Sequence, residues 1–120
     1  MNTDIFKCTT QLQSERLINL GLSPDTSDMW YDNNGESICG VPELRRRYSF
    51  EGLSKLNIPC WSLAAMYDII KTCCGRCETT LRVDKRYNIF TDKGGWVYDK
   101  PLFDAVFEMV CILLEKGVIK

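Results

Sequence analysis

Cys74-Gly75-Arg76-Cys77, preceded directly by Cys73, is the stretch whose residue types and spacing suggest a mechanism. Thiols held this close could form a reversible disulfide, or could donate thiolates to a zinc ion. A redox pair works best where it opens a helix, because the positive end of the helix dipole lowers a thiol's pKa. Here the apolar periodicity upstream places the cysteines at the end of a helix, where the field has the opposite sign. A structural zinc site needs four thiolate or imidazole ligands. The chain has seven cysteines and no histidine. A site on Cys73, Cys74 and Cys77 would therefore borrow from Cys8, Cys39 or Cys60, none of which belongs to a second CxxC. A glycine-bearing helix-to-strand turn is the favoured reading, with zinc on Cys73, Cys74 and Cys77 as the lesser alternative. No cofactor is expected.

A second candidate is Arg45-Arg46-Arg47-Tyr48, with Phe50 close by. Three guanidiniums could meet phosphates and the aromatics could stack on bases. Glu43 and Glu51 flank the run, which equally describes a solvated surface turn. Asp104 and Glu108 stand one helical turn apart and superficially resemble paired carboxylates for acid–base work. On a helix this apolar the simpler reading is a polar stripe. Trp30, Trp61 and Trp96 neighbour apolar, periodic residues and read as core or sheet-face anchors. Gly94-Gly95 lacks the following helix that a phosphate-cradling loop opens. With no histidine to act as a base, no nucleophile, base and oxyanion stabiliser can be assembled from spacing, which argues against an enzyme.

The elements that must position these residues are organised around residues 101–116. Leu102, Phe103, Val106, Phe107, Val110 and Leu113 are among an apolar majority interrupted by Asp104, Glu108 and Glu115. Such a helix is a core element or a membrane span. Sixteen residues give only about 24 Å, and carboxylates interrupt it, so a buried core helix is predicted and no membrane association. Pro101 suits its first turn and Gly117 its stop. Upstream, residues 10–20 predict a short helix with a Thr10–Gln13 capping box and a glycine terminus at Gly21. Leu12, Leu17, Ile18 and Leu20 are its expected apolar side. Asn34-Gly35 predicts a short hairpin between residues 29–31 and 36–41. Ser62 is a candidate N-cap for a second helix ending near residues 73–75. Runs at 79–83, 87–91 and 96–98 predict an antiparallel meander. Residues 42–58 read as a surface excursion. The expected fold is α+β: a small antiparallel sheet, meander plus short hairpin, covered on one face by about three helices, the C-terminal one buried.

A length of 120 residues predicts a single domain over 1–120. The formal net charge of −1 provides no global field for nucleic acid or acidic lipid. Residues 71–100 carry seven cations against four carboxylates, a modest local surplus. MNTDIFKCTT has no basic segment followed by an apolar run, so a cytoplasmic location with reduced cysteines is expected.

Three segments resemble a group of small uncharacterised proteins of bacterial phages and mobile genetic elements. They are Leu20-Gly21-Leu22-Ser23-Pro24-Asp25-Thr26-Ser27-Asp28-Met29, Ile58-Pro59-Cys60-Trp61-Ser62-Leu63, and Phe103 to Cys111 with Leu113-Leu114-Glu115-Lys116-Gly117. The similarity spans most of the chain apart from residues 33–56 and excludes the Cys73–Cys77 cluster. It implies a small cytoplasmic α+β protein of a mobile element and assigns no activity. The expected function is a non-enzymatic interaction protein that binds another protein through the sheet face or residues 42–58, with room for a homodimer. The alternative is a weak nucleic-acid binder using Arg45, Arg46, Arg47 and the basic meander. An enzyme ranks third.

Overall fold

The computed structural model of the chain describes residues 8–31, 37–39 and 58–119. Its centre is α3, Leu102–Glu115, here numbered after α1, Gln11–Asn19, and α2, Leu63–Cys73. Phe103, Val106, Met109, Val110 and Leu113 of α3 are sealed from solvent and form one core with Leu17, Trp61, Met66, Ile70 and Ile89. Gly117 at φ +73° ends the helix, and the Val118 N–H returns to the Leu113 carbonyl at 2.9 Å. The same closure ends α1, where Gly21 has φ +105° and the Leu22 N–H reaches the Leu17 carbonyl at 3.0 Å. Both are the glycine-ended termini that satisfy orphan carbonyls. The Thr10–Gln13 capping box is present at the start of α1.

The α+β class and the buried C-terminal helix match expectation, but the strands form two antiparallel sheets instead of one. In the first, β1 (Met29–Tyr31) lies between β2 (Ser37–Cys39) and β3 (Ile58–Cys60). β3 is not among the strands the sequence predicts: Ile58, read there as the end of the 42–58 excursion, pairs with Tyr31. Its Pro59 opposite Trp30 is tolerated because β3 is an edge strand, where a missing N–H breaks no ladder bond. The second sheet is the meander β4 (Cys77–Leu81), β5 (Tyr87–Thr91) and β6 (Gly95–Lys100), in that order. Ile89, Thr91 and Val97 project from it into the core.

One hydrogen-bonded joint ties the first sheet to the helices. The Thr9 N–H donates to the Trp61 carbonyl at 2.9 Å, and Thr9 Oγ1 accepts from the Trp61 N–H at 3.0 Å. The buried Trp61 indole N–H donates to Thr26 Oγ1 at 2.8 Å. Asp28 accepts the Ser62 N–H at 2.9 Å and also the Ser62 hydroxyl, while Ser62 Oγ caps α2 by accepting the Ala65 N–H at 3.2 Å. Residues 20–29 and 58–63 thus meet here as turn and cap.

The apolar side expected of α1 needs correction. Leu17 is buried, but Leu12 is 79% exposed and the inward position is taken by Ser14. Ser14 is affordable inside because its hydroxyl bonds Thr9 Oγ1 at 2.8 Å.

Candidate interaction surface

Alternation along the meander places Phe90, Trp96 and Tyr98 on the face opposite the core. Phe90 is directly across from Trp96 in the β5–β6 register, and Tyr98 follows two residues later on the same strand. The Phe90 and Trp96 ring centroids are 5.1 Å apart with a 46° tilt, and those of Trp96 and Tyr98 are 5.3 Å apart and nearly parallel at 9°. Trp96 remains 46% exposed and Tyr98 58%. The other two tryptophans, Trp30 and Trp61, are buried anchors. Trp96 therefore departs from them and heads a ladder of aromatic rings in water.

The turn residues shape this face. Between Tyr87–Lys100 and Ile89–Val97 the register slips by one, so two residues of β6 oppose Asn88, a β-bulge. Asp99 occupies the bulge at φ +61°, a conformation that aspartate tolerates better than most side chains. Its N–H is held by Asn88 Oδ1 at 3.0 Å. Arg86 grips the Asp99 carbonyl through Nε and a terminal nitrogen at 3.1 and 2.7 Å, and its Nε lies 2.7 Å from the carboxylate.

The arginines around the ladder are committed in the same way. Arg76 lies 5.5 Å over the Phe90 ring and pairs with Glu78 at 2.8 Å. Arg82 pairs with Asp84 at 3.2 Å and with Asp99 at 3.5 Å. These exposed pairs add little stability. Their effect is on charge: each guanidinium of the meander already faces a carboxylate.

The cysteine cluster behaves as a turn. Cys73 ends α2, Cys74 is its extended C-cap, and β4 begins at Cys77. Gly75 donates its N–H to Asp92 Oδ2 at 3.2 Å. The Cys73 and Cys74 sulfurs are 3.7 Å apart. Burial, reinforced by the neighbouring Cys74 thiol, pushes the Cys73 thiol up to about 11. Burial also raises Cys77. Thiols shifted this way stay protonated at neutral pH and are poor nucleophiles. Among the described residues no group of three or more cysteine and acidic side chains could hold a metal ion.

Asp104 and Glu108 both border one open depression with Arg16 and Lys100, so they are not paired with each other alone. Glu108 and Glu115 instead flank Arg16 of α1, at 3.7 and 3.6 Å, with the guanidinium 5.7 Å over Phe107. Arg45, Arg46, Arg47 and Tyr48, and the surface excursion expected at residues 42–58 apart from Ile58, lie outside the described residues. No described helix is long and apolar enough to cross a membrane. The aromatic ladder has a signal in the sequence: Trp96 and Tyr98 alternate around Val97, with Phe90 one strand earlier. What alternation leaves open is which of the two sets faces water. No family model matches the chain, and no curated protein or solved structure matches it.

Proposed function

We propose that this chain is a non-enzymatic binding protein that engages another protein through the outer face of the meander, with Phe90, Trp96 and Tyr98 as the anchoring residues. The observation that carries this reading is a contiguous aromatic ladder left in water beside arginines already neutralised by carboxylates. Aromatic side chains on a rigid strand are the usual anchors of protein interfaces, and charged pairs at the margin set orientation. A nucleic-acid role is less well supported by this face. Trp96 and Tyr98 stack on each other and Arg76 covers Phe90, so ring faces that a base would use are partly occupied. The proposed setting, a mobile genetic element and a cytoplasmic location, rests on the sequence resemblance.

Trp96 is a built-in reporter, because the other tryptophans are buried. Affinity capture from the native host should recover a protein that binds the wild type and is lost with Trp96→Ala/Tyr98→Ala. Adding that purified partner should shield Trp96 from iodide quenching. A partner retained undiminished by the double variant, or tighter binding of single-stranded DNA or RNA than of any protein, overturns the proposal.

A further inference from the structure

The β4 edge of the meander, unpaired among the described residues, carries a second surface beside the aromatic face. Backbone bonds reveal which groups of β4 are used. The Arg82 N–H donates to the Arg86 carbonyl at 2.7 Å and the Asp92 N–H to the Arg76 carbonyl at 3.2 Å. In an antiparallel ladder the bonded residues alternate, so residues 76, 78, 80 and 82 turn their backbone groups towards β5. Those of Cys77, Thr79 and Leu81 point away from the sheet, and among the described residues no backbone group meets them. β4 lacks the usual protections of an edge: it has no proline, bulge or lysine. Leu81 is 60% exposed and Val83, just beyond the strand, fully so. β6, the opposite edge, is interrupted by its bulge and runs directly into α3.

We propose that β4 pairs antiparallel with β4 of a second copy of this chain, about a two-fold axis at Thr80, joining two meanders into one six-stranded sheet. Charge and shape both select this register. With Thr80 opposite its own copy, Glu78 faces Arg82 on the outer side, opposite in sign, and the two-fold repeats this pair. A shift to an axis at Thr79 sets Arg76 against Arg82, which is repulsive. The Thr80 axis also makes Thr79 and Leu81 a hydrogen-bonded pair, using the groups that point outward. On the inner side, Leu81 of the second copy comes opposite Thr79. There an open groove of about 480 Å³ lies between α2 and the edge, lined by Ala64, Tyr67, Lys71 and Cys77 among others. It receives the exposed Leu81 side chain. The interface is isologous, so every contact occurs twice.

Sedimentation of the reduced full chain tests this, with an expected mass of twice 13.8 kDa. Thr79→Pro should convert it to a monomer with an unchanged circular dichroism spectrum, because the Thr79 N–H takes no part in the β5 ladder. Leu81→Lys, which keeps that N–H and alters only an exposed side chain, should do the same. Glu78→Arg and Arg82→Glu should each weaken dimerisation about tenfold, and the double exchange should restore it. Thr80→Cys should yield an intermolecular disulfide on mild oxidation, since a non-hydrogen-bonded pair brings the α-carbons to about 4.5 Å. A chain that is monomeric up to millimolar concentration overturns the proposal. So does a dimer that survives both Thr79→Pro and Leu81→Lys, or a Thr79→Cys variant that cross-links in place of Thr80→Cys.

Discussion

Replacing Gly94 by alanine is the sharpest test of how the meander is seated on α3. A Cβ at Gly94 would lie 2.5 Å from Met109 Sδ, 2.7 Å from Thr91 Oγ1 and 3.2 Å from Leu113 Cδ2. Met109 and Leu113 are fully buried, so neither has solvent to retreat into. Thr91 Oγ1 is already engaged, accepting the Gly94 N–H at 2.8 Å and donating to Met109 Sδ at 3.2 Å. Contacts between heavy atoms are optimal near 3.5–4 Å, so Met109 must move by about 1 Å. Forcing atoms into a packed core costs about 1–3 kcal/mol. Alanine recovers about 0.4–1 kcal/mol through a less flexible unfolded chain. Midway through both ranges the net loss is about 1.3 kcal/mol. For 120 residues, an unfolding entropy near 2.1 cal/mol/K per residue converts this into a Tm lowered by about 5 °C. Calorimetry on Gly94→Ala, Met109→Ala and the double variant provides the assay. Met109→Ala alone leaves a cavity and costs about 2–5 kcal/mol. Gly94→Ala should cost less in that background, giving a coupling energy of opposite sign to the single losses. A Gly94→Ala protein that melts with the wild type, or strictly additive losses, would refute the packing argument.

Other consequences follow from the joint and the thiols. Asp28→Ala removes the acceptor of both the Ser62 N–H and the Ser62 hydroxyl, and should cost about 1–3 kcal/mol in urea denaturation. Ser62→Ala removes the hydroxyl bond and the α2 cap but keeps the Ser62 N–H, so the double variant should fall short of the sum by the one hydroxyl–carboxylate bond the two changes share. Burial raises the Cys111 thiol to about 11, as it does Cys73. Unfolded thiols ionise near about 8.5, while the fold keeps these two neutral. Their contribution to stability is therefore complete below about pH 8.5 and is lost as pH rises towards 11. Urea midpoints should fall more steeply over that window in the wild type than in a Cys73→Ser/Cys111→Ala variant. Parallel slopes would remove the thiols from the explanation.

Much of the helical framework was legible because its determinants are local. A Thr10–Gln13 box, a Ser62 cap and glycines at 21 and 117 act within one turn of chain, and they appear where the residue types place them. The apolar run of α3 is unambiguous for the same reason: almost any rotation about its axis still buries leucine, valine or phenylalanine. Sheet membership was less legible. Ile58–Cys60 is only three residues long and contains proline, so nothing local marks it as a strand. Only pairing with β1 across an intervening stretch of chain does. Ser14 is buried in α1 while the expected Leu12 is exposed, because Thr9 supplies a hydrogen bond that α1 alone does not contain.

By itself the sequence determined the order of the three helices and of the meander strands, the α+β class and the buried closing helix. Each of these follows from short-range sterics, capping and the period of the apolar residues. Tertiary structure decided which face of the meander met water, which arginines lost their free charge to Asp99 and Glu78, and which edge of β4 stayed open. Those outcomes depend on what packs against each side, and a side chain's surroundings in three dimensions are set by segments far from it along the chain.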